Sequence, residues 1–282
     1  MIKGIIQNAG SEFRHFICNT KMILIVFSII FICESLLGKV QGLCELSDLK
    51  LSFLEPYLMV SSMDAYAIAI PLVYIVLMSG FPSKSSFNYF SMIRISRMQW
   101  FMSELLFLLL SSISYLLIYL AGFLIYMHKS IVWSNSWSRY MLNFRELYPE
   151  DYIMNQSYFL KTDMMTHGSP LSIFVHSVLL MIAMLFVMSL VQMLFSFLEK
   201  RMVGMAVSVG LTLLSSFLIY SSGNFKWLFP MTHTNIAVHF NGFLAVKNFT
   251  ITKSYLYFAG LIVFLLIANL LLLRKKNMGV EQ

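Results

Sequence analysis

Charge is what this sequence has least of. Only 12% of its 282 residues are Asp, Glu, Lys or Arg, whereas 59% are hydrophobic; soluble domains carry roughly 25% charged residues. Most of the chain therefore does not meet water, and a mean hydropathy of +0.76 agrees. Cysteine is scarce too. Cys18, Cys33 and Cys44 have no paired spacing, which excludes a disulfide framework or a cysteine-built zinc site. No Gly-x-x-x-x-Gly-Lys-Ser/Thr loop is present, so the chain lacks that cradle for ATP phosphates. His-Glu-x-x-His and Gly-x-Ser-x-Gly are missing as well, leaving no catalytic residue and no metal ligand to name. No internal repeat is visible. No small-residue cleavage site follows the first apolar run, which is expected to remain as an anchor.

What is present is a series of six apolar segments: Met22–Leu37, Ala65–Phe81, Leu105–Met127, Leu171–Leu198, Met202–Ser222 and Tyr255–Leu273. A helix needs roughly 20 residues to cross the hydrocarbon core. The first run is short, but Lys21 and Lys39 flank it and can snorkel. The second extends back through Pro56–Asp64 and contains Pro71, which a membrane helix tolerates as a kink. The expected fold is an all-α membrane protein with six transmembrane helices.

Six spans place both termini on one side. The segments on that side carry eleven Lys and Arg in about 55 residues, against nine in about 100 on the other. Positive charge marks the cytoplasmic face, so both termini are expected to be cytoplasmic. The net charge of +7 thus reads as membrane orientation rather than nucleic-acid binding. Residues 1–21 are amphipathic, with Ile2, Ile5, Ile6, Ala9, Phe13, Phe16 and Ile17 at helical spacing. Lys3, Gln7, Asn8, Ser11, Glu12, Arg14 and His15 fill the opposite face, the pattern of an interfacial helix that anchors on the lipid surface or docks a partner.

In the outer loop 128–170, Trp133, Trp137, Tyr140, Phe144 and Tyr148 recur at helical spacing before Pro149, as an aromatic belt at the headgroups or as a lid. The outer segment 223–254 holds two short apolar runs, Phe225–Phe229 and Phe240–Val246, expected to re-enter the outer leaflet before the last span. His176 lies inside the fourth span, either bonded neutrally across helices or functional. Glu34 and Asp64 lie near outer ends of spans, as boundary residues or as an outer mouth.

The cytoplasmic connection 82–104 is short, basic and amphipathic, with Arg94, Arg97 and Trp100 on the inner side. It also resembles a pattern in the type-2 permease family of ATP-binding-cassette exporters. There the second span is followed by Gly-Thr-Ile-Lys-Asn, a short apolar helix, Gly-Ile-Ser-Arg, an aromatic and Ser-Lys. Here Phe87-Asn88 is similar to the Ile/Lys-Asn part, Ile95-Ser96-Arg97 to Ile-Ser-Arg, and Ser103-Glu104 takes the Ser-Lys place. Arg94 stands where the family has Gly, and Glu104 where it has Lys. The resemblance implies one permease domain over 1–282, paired with a second permease subunit and two cytoplasmic ATPase subunits that bind ATP and Mg; no cofactor is expected in this chain. It implies that Arg94, Arg97, Trp100, Glu12 and Arg14 dock the ATPase. It implies that the second and fifth spans line the route, with Asp64, Tyr66, Ser208, Thr212 and Ser215 along it. Trp133, Trp137 and Tyr140 are the candidate outer lid. The expected setting is a bacterial cell membrane. The 21 Met and 25 Phe suit an amphiphilic peptide, antibiotic or lipid as cargo. A stand-alone secondary transporter or channel, a membrane enzyme, and a nontransporting immunity or sensor subunit are the competing classes.

Overall fold

The computed structural model describes residues 2–82, 96–219, 221, 223–240 and 250–275. In chain order the elements are α1 (Ile2–Ile17), α2 (Thr20–Ser47), β1 (Leu51–Ser52), α3 (Glu55–Ser62), α4 (Asp64–Gly80), α5 (Arg97–Tyr126), β2 (Ile131–Val132), α6 (Arg139–Leu147), α7 (Pro149–Asn155), α8 (Thr162–Thr166), α9 (Pro170–Phe197), α10 (Arg201–Leu218), α11 (Pro230–Thr234), α12 (Ile236–Phe240) and α13 (Ile251–Lys275). Five of these, α2, α5, α9, α10 and α13, are long and apolar enough to cross a membrane, and the bent pair α3–α4 makes a sixth if it is one span.

α9 is the hub. It packs against α3, α4, α5, α10, α11 and α13, and 61% of its most apolar stretch is buried, against 22% in α10 and in α13. The outer helices thus turn wide apolar faces away from the protein, as lipid contact requires. Polar side chains bridge helices where the interior is driest. Tyr74 shares hydrogen bonds with Ser111 (3.0 Å) and Ser112 (2.9 Å), Gln192 donates to the Ile75 carbonyl (3.0 Å), and Asn269 donates to the Leu190 carbonyl (3.2 Å). Such bonds in membranes contribute about 0.6 kcal/mol each. His176 is one of them: its Nδ1 lies 2.9 Å from the Tyr255 hydroxyl, across α9 and α13.

Several elements differ from their sequence expectation. The first apolar helix does not stop at Leu37. It runs on to Ser47 through a π-helical turn at Cys33–Leu37, and Asp48 ends it in the left-handed conformation (φ 53°). Glu34 therefore sits within the helix, on the π turn, rather than at its end. The second span is broken rather than merely kinked. α3 and α4 meet at 94°, with Met63 extended between them (φ −101°, ψ 107°). A second lapse follows at Ile68, just before Pro71, which has no N–H to give to the Ala67 carbonyl.

The α9–α10 turn is tight because Glu199 takes a positive φ of 61°. It brings α10 so close that a side chain at Gly204 would meet Phe195 Cβ at 2.6 Å. Residues 128–170 form a folded loop layer. β1 and β2 pair in parallel, Leu51 opposite Ile131 and Ser52 opposite Val132. The expected aromatic helix is shorter than its stripe: Ser138 caps α6, its side chain accepting from Met141 N. Trp133 and Trp137 therefore precede the helix. The two apolar runs of the last loop are split by the described limits: Phe225–Phe229 falls in a 3-10 turn leading into α11, whereas 241–249 lies outside the described residues.

Candidate functional site

One end of the bundle carries Arg14, Lys21, Arg97 and Arg201. α1 lies along the first turns of α5: Asn8 Nδ2 donates to Ser103 Oγ at 2.7 Å, and Phe16 meets Phe107 edge-on at 6.0 Å. α5 opens with a capping box, because Ser96 Oγ accepts from Gln99 N (3.3 Å) and Gln99 Oε1 accepts from Ser96 N (3.1 Å). Ser96 of the Ile-Ser-Arg run thus caps a long helix, and Arg97 is exposed on its first turn; Ile95 lies outside the described residues. Arg201 reaches the same end, donating through Nη2 to the Pro82 carbonyl at 2.6 Å. Lys21 Nζ donates to Ser79 Oγ at 3.0 Å.

The candidate docking residues separate here. Arg14 and Arg97 are exposed. Trp100 is not available for docking: it is 2% exposed and packs on Phe197 at 6.1 Å. Glu12 is also turned inward at 4% exposure. α1 uses the face containing Asn8, Ala9, Glu12 and Phe16 against α5, while Ile2 and Ile6 remain outside. The helix has rotated relative to its simple apolar stripe because Asn8 and Ser103 pair in the contact. Arg94 lies outside the described residues.

The residues proposed for the route across the fifth span are packed rather than open. Ser208, Thr212 and Ser215 are each 0% exposed. Ser208 and Thr212 return their hydroxyls to carbonyls one turn back in α10 (2.9 Å each), and Ser215 Oγ accepts from Thr232 N at 3.1 Å, so it anchors α11. Small residues at this face allow close helix approach.

At the opposite end, the broken helix opens a cavity of about 870 Å³ between Met63, Asp64 and Tyr66 on one side and Tyr152, Tyr158 and Phe159 of the loop layer on the other. Asn235 holds the break open: its Nδ2 donates to the Ser62 carbonyl (3.2 Å) and to Asp64 Oδ1 (2.6 Å). Asp64 is 6% exposed. Lys39 Nζ donates to the Tyr158 hydroxyl at 2.8 Å and lies 5.3 Å from its ring; Arg145 lies 5.8 Å from the Tyr152 ring. Of the candidate lid, Trp133 is 74% exposed and stacks on Phe53 at 4.7 Å. Trp137 donates to the Gly168 carbonyl (3.1 Å), and Tyr140 is fully buried against Phe159 at 4.8 Å. Tyr140 is thus core of the loop layer, and the three do not share one surface.

Sequence reasoning passed over Asn235 and Glu55. Glu55 is fully buried and accepts from the backbone N–H of Ser52 and of Ser138, each at 2.8 Å, tying α3 to both β1 and α6. The signal for Asn235 was a polar stretch, Thr232–His239, between two apolar runs; nothing in the local sequence marks Glu55 out from its acidic neighbours.

His233, in the same stretch, stacks on Tyr257 at 4.0 Å, with Nδ1 2.9 Å from Ser254 Oγ and Nε2 2.7 Å from the Trp227 carbonyl. Burial pushes its pKa down from 6.5 to about 4; the Trp227 carbonyl opposes this and His239 adds to it. The unfolded chain therefore takes up this proton first. Stability is expected to be level above about pH 6.5 and to fall as pH drops towards 4, by about 1.4 kcal/mol per unit at most. Thermal unfolding across that window should show the step in the parent and a flattened one in His233→Gln.

Among the described residues no group of three or more His, Cys, Asp or Glu is placed to hold a metal ion. No protein-family model, curated protein or solved structure matches this chain. Fold and composition together define an all-α protein with the long apolar helices of a multi-pass membrane protein.

Proposed function

We propose that the chain is the membrane-spanning permease subunit of an ATP-binding-cassette exporter. Separate cytoplasmic ATPase subunits drive it, and it pairs with a second permease subunit across the membrane. In this reading α3 and α4 form one broken span, giving six. Both termini are cytoplasmic in a bacterial cell membrane, and α11 and α12 re-enter from outside. ATP and Mg belong to the partner, and the cargo is an amphiphilic peptide, antibiotic or lipid.

One observation carries the proposal. The amphipathic α1, the Ser96 cap and Arg97 at the start of α5, and the Arg201 turn meet at one end of the bundle. They leave Arg14 and Arg97 exposed there, beside the basic segment that resembles the exporter family's docking region. A helix-cap arginine next to a surface helix offers fixed positive groups to an acidic groove, and arginines are favoured interface anchors.

A stand-alone secondary transporter is the second reading, and the break at Met63 favours it, because such transporters bind substrate at broken helices. Against it, broken helices in those folds come in matching halves, and among the described residues only the α3–α4 pair is bent in this way.

The test is copurification in mild detergent. The chain is expected to retain a phosphate-loop ATPase and to hydrolyse no ATP without it. Arg14→Glu combined with Arg97→Glu should weaken retention roughly thirtyfold, the equivalent of about 2 kcal/mol. A chain that transports without any ATPase, or an ATPase retained equally by the double variant, would refute the reading.

A further inference from the structure

We infer that α1 is a proton-held latch: it lies on α5 while Glu104 carries a proton and lifts away when that proton is lost. The inference concerns these two helices and stands without the permease reading.

Glu104 is a costly residue at this contact. It is 0% exposed, and neither carboxyl oxygen has a hydrogen-bond partner among the described residues. It follows Ser103, which takes the Asn8 amide at 2.7 Å, and precedes Phe107, which meets Phe16 at 6.0 Å. Both contacts come from α1, so α1 walls off this stretch of α5 from water.

Hydrogen-bonding capacity fixes the charge state. Among the described residues, Asn8 Oδ1, both oxygens of Glu104 and Trp100 Nε1, one turn earlier on α5, lack partners. With Glu104 ionised, these are three acceptors for one donor. A proton on Glu104 turns one acceptor into a donor and balances the set. Ionised in place, Glu104 would be an unpaired buried charge, which costs far more than a missing hydrogen bond.

Neighbouring charges push the same way. Glu12 of α1, engaged in contacts of its own, adds a like charge. Lys3, Arg14 and His15 of α1 are exposed. α2, α3 and α9 also pack on α5. At this end Lys21 donates to Ser79 Oγ, and Arg201 donates to the Pro82 carbonyl. Glu34, Lys39 and Glu45 of α2, Glu55 of α3 and His176 of α9 lie towards the other end.

A glutamate in water ionises at about pH 4.3. Docked α1 therefore holds one more proton than released α1. Docking is strongest at low pH and weakens as pH rises, by at most about tenfold per unit. The departing proton passes to the water that enters the seam. Release parts the exposed Arg14 of α1 from the exposed Arg97 of α5, so the two form one basic surface only in the docked state.

Spin labels at Gly10→Cys and Met98→Cys report the docking, in the full chain carrying Cys18→Ser and held in phosphatidylcholine nanodiscs. Gly10 is exposed with nothing within 4 Å of an added Cβ, and Met98 is 47% exposed. Cys33 and Cys44 are buried and stay unlabelled. Distances between the labels are measured by pulsed electron resonance from about pH 6 to about pH 9. One short distance is expected at the acid end. A longer one should grow reversibly with pH, its ratio to the first rising at least about tenfold across the range. Glu104→Gln, neutral at every pH, should keep the short distance throughout. Glu104→Ala is the second variant: whatever its starting distance, it has nothing left to titrate and should lose the pH response. A parent distance that ignores pH, or opening with pH that persists in either Glu104 variant, would overturn the inference. Loss of the ATPase with the pH response intact would instead count against the permease reading alone.

Discussion

Replacing Trp100 by alanine is expected to destabilise the protein by about 3–5 kcal/mol, the range for emptying a buried large aromatic site. The indole is 2% exposed and packs against Phe197, at the end of α9, the central helix. It thus joins to the hub the same first turns of α5 to which α1 attaches through Asn8 and Ser103, so its loss is expected to loosen α1 as well. Trp100→Phe should cost much less, because the indole N–H it gives up has no hydrogen-bond partner among the described residues. Arg97→Ala, three positions away and exposed, should stay within about 0.5 kcal/mol. Thermal unfolding in detergent measures all three, and a cycle with Phe197→Ala isolates the pair. The opposite result, full stability of Trp100→Ala with loss of a bound ATPase, would return Trp100 to the docking surface.

Glu55→Ala is expected to release the loop layer. Its carboxylate accepts the buried N–H groups of Ser52 and Ser138 at 2.8 Å each. Alanine leaves both donors without a partner, and each such loss costs about 1–3 kcal/mol. The damage should be local first. β1 and β2 would part, and the cap of α6 would lose its place against α3. Arg139 and Arg145 are already exposed on α6, yet trypsin needs an unfolded segment to cut. Limited proteolysis should therefore cleave there much faster in Glu55→Ala, while cleavage elsewhere is unchanged. Glu55→Gln, which keeps one acceptor oxygen, should fall between. An unchanged rate for Glu55→Ala would mean that packing of Tyr140 and Phe159 holds the layer without the carboxylate.

The long helices were legible because a membrane imposes one simple condition, enough consecutive apolar residues to cross it. The runs at 105–127, 171–198 and 255–273 lie within α5, α9 and α13, apart from single residues at their ends. His176 could be read as a neutral cross-helix partner for the same reason: a polar group in a dry interior must find a hydrogen bond. Faces were harder. Spacing alone groups Arg97 with Trp100 and separates Asn8 from Phe16, but a helical wheel has no origin until a neighbour supplies one. Phe197 supplies it for Trp100, and Ser103 supplies it for Asn8.

What the sequence by itself determined is therefore the class: long apolar stretches, few charges and a basic bias force a helical membrane chain, since only helices and closed barrels satisfy every backbone group in lipid. What only the tertiary structure decided is where that chain departs from straight helices. No glycine or proline stands at Met63, and Pro56 and Pro71 lie inside the helices on either side. The break exists because Asn235, distant in sequence, offers its amide to the carbonyl and carboxylate that the break leaves over. A local sequence cannot announce a hydrogen bond that arrives from a segment more than 170 positions away.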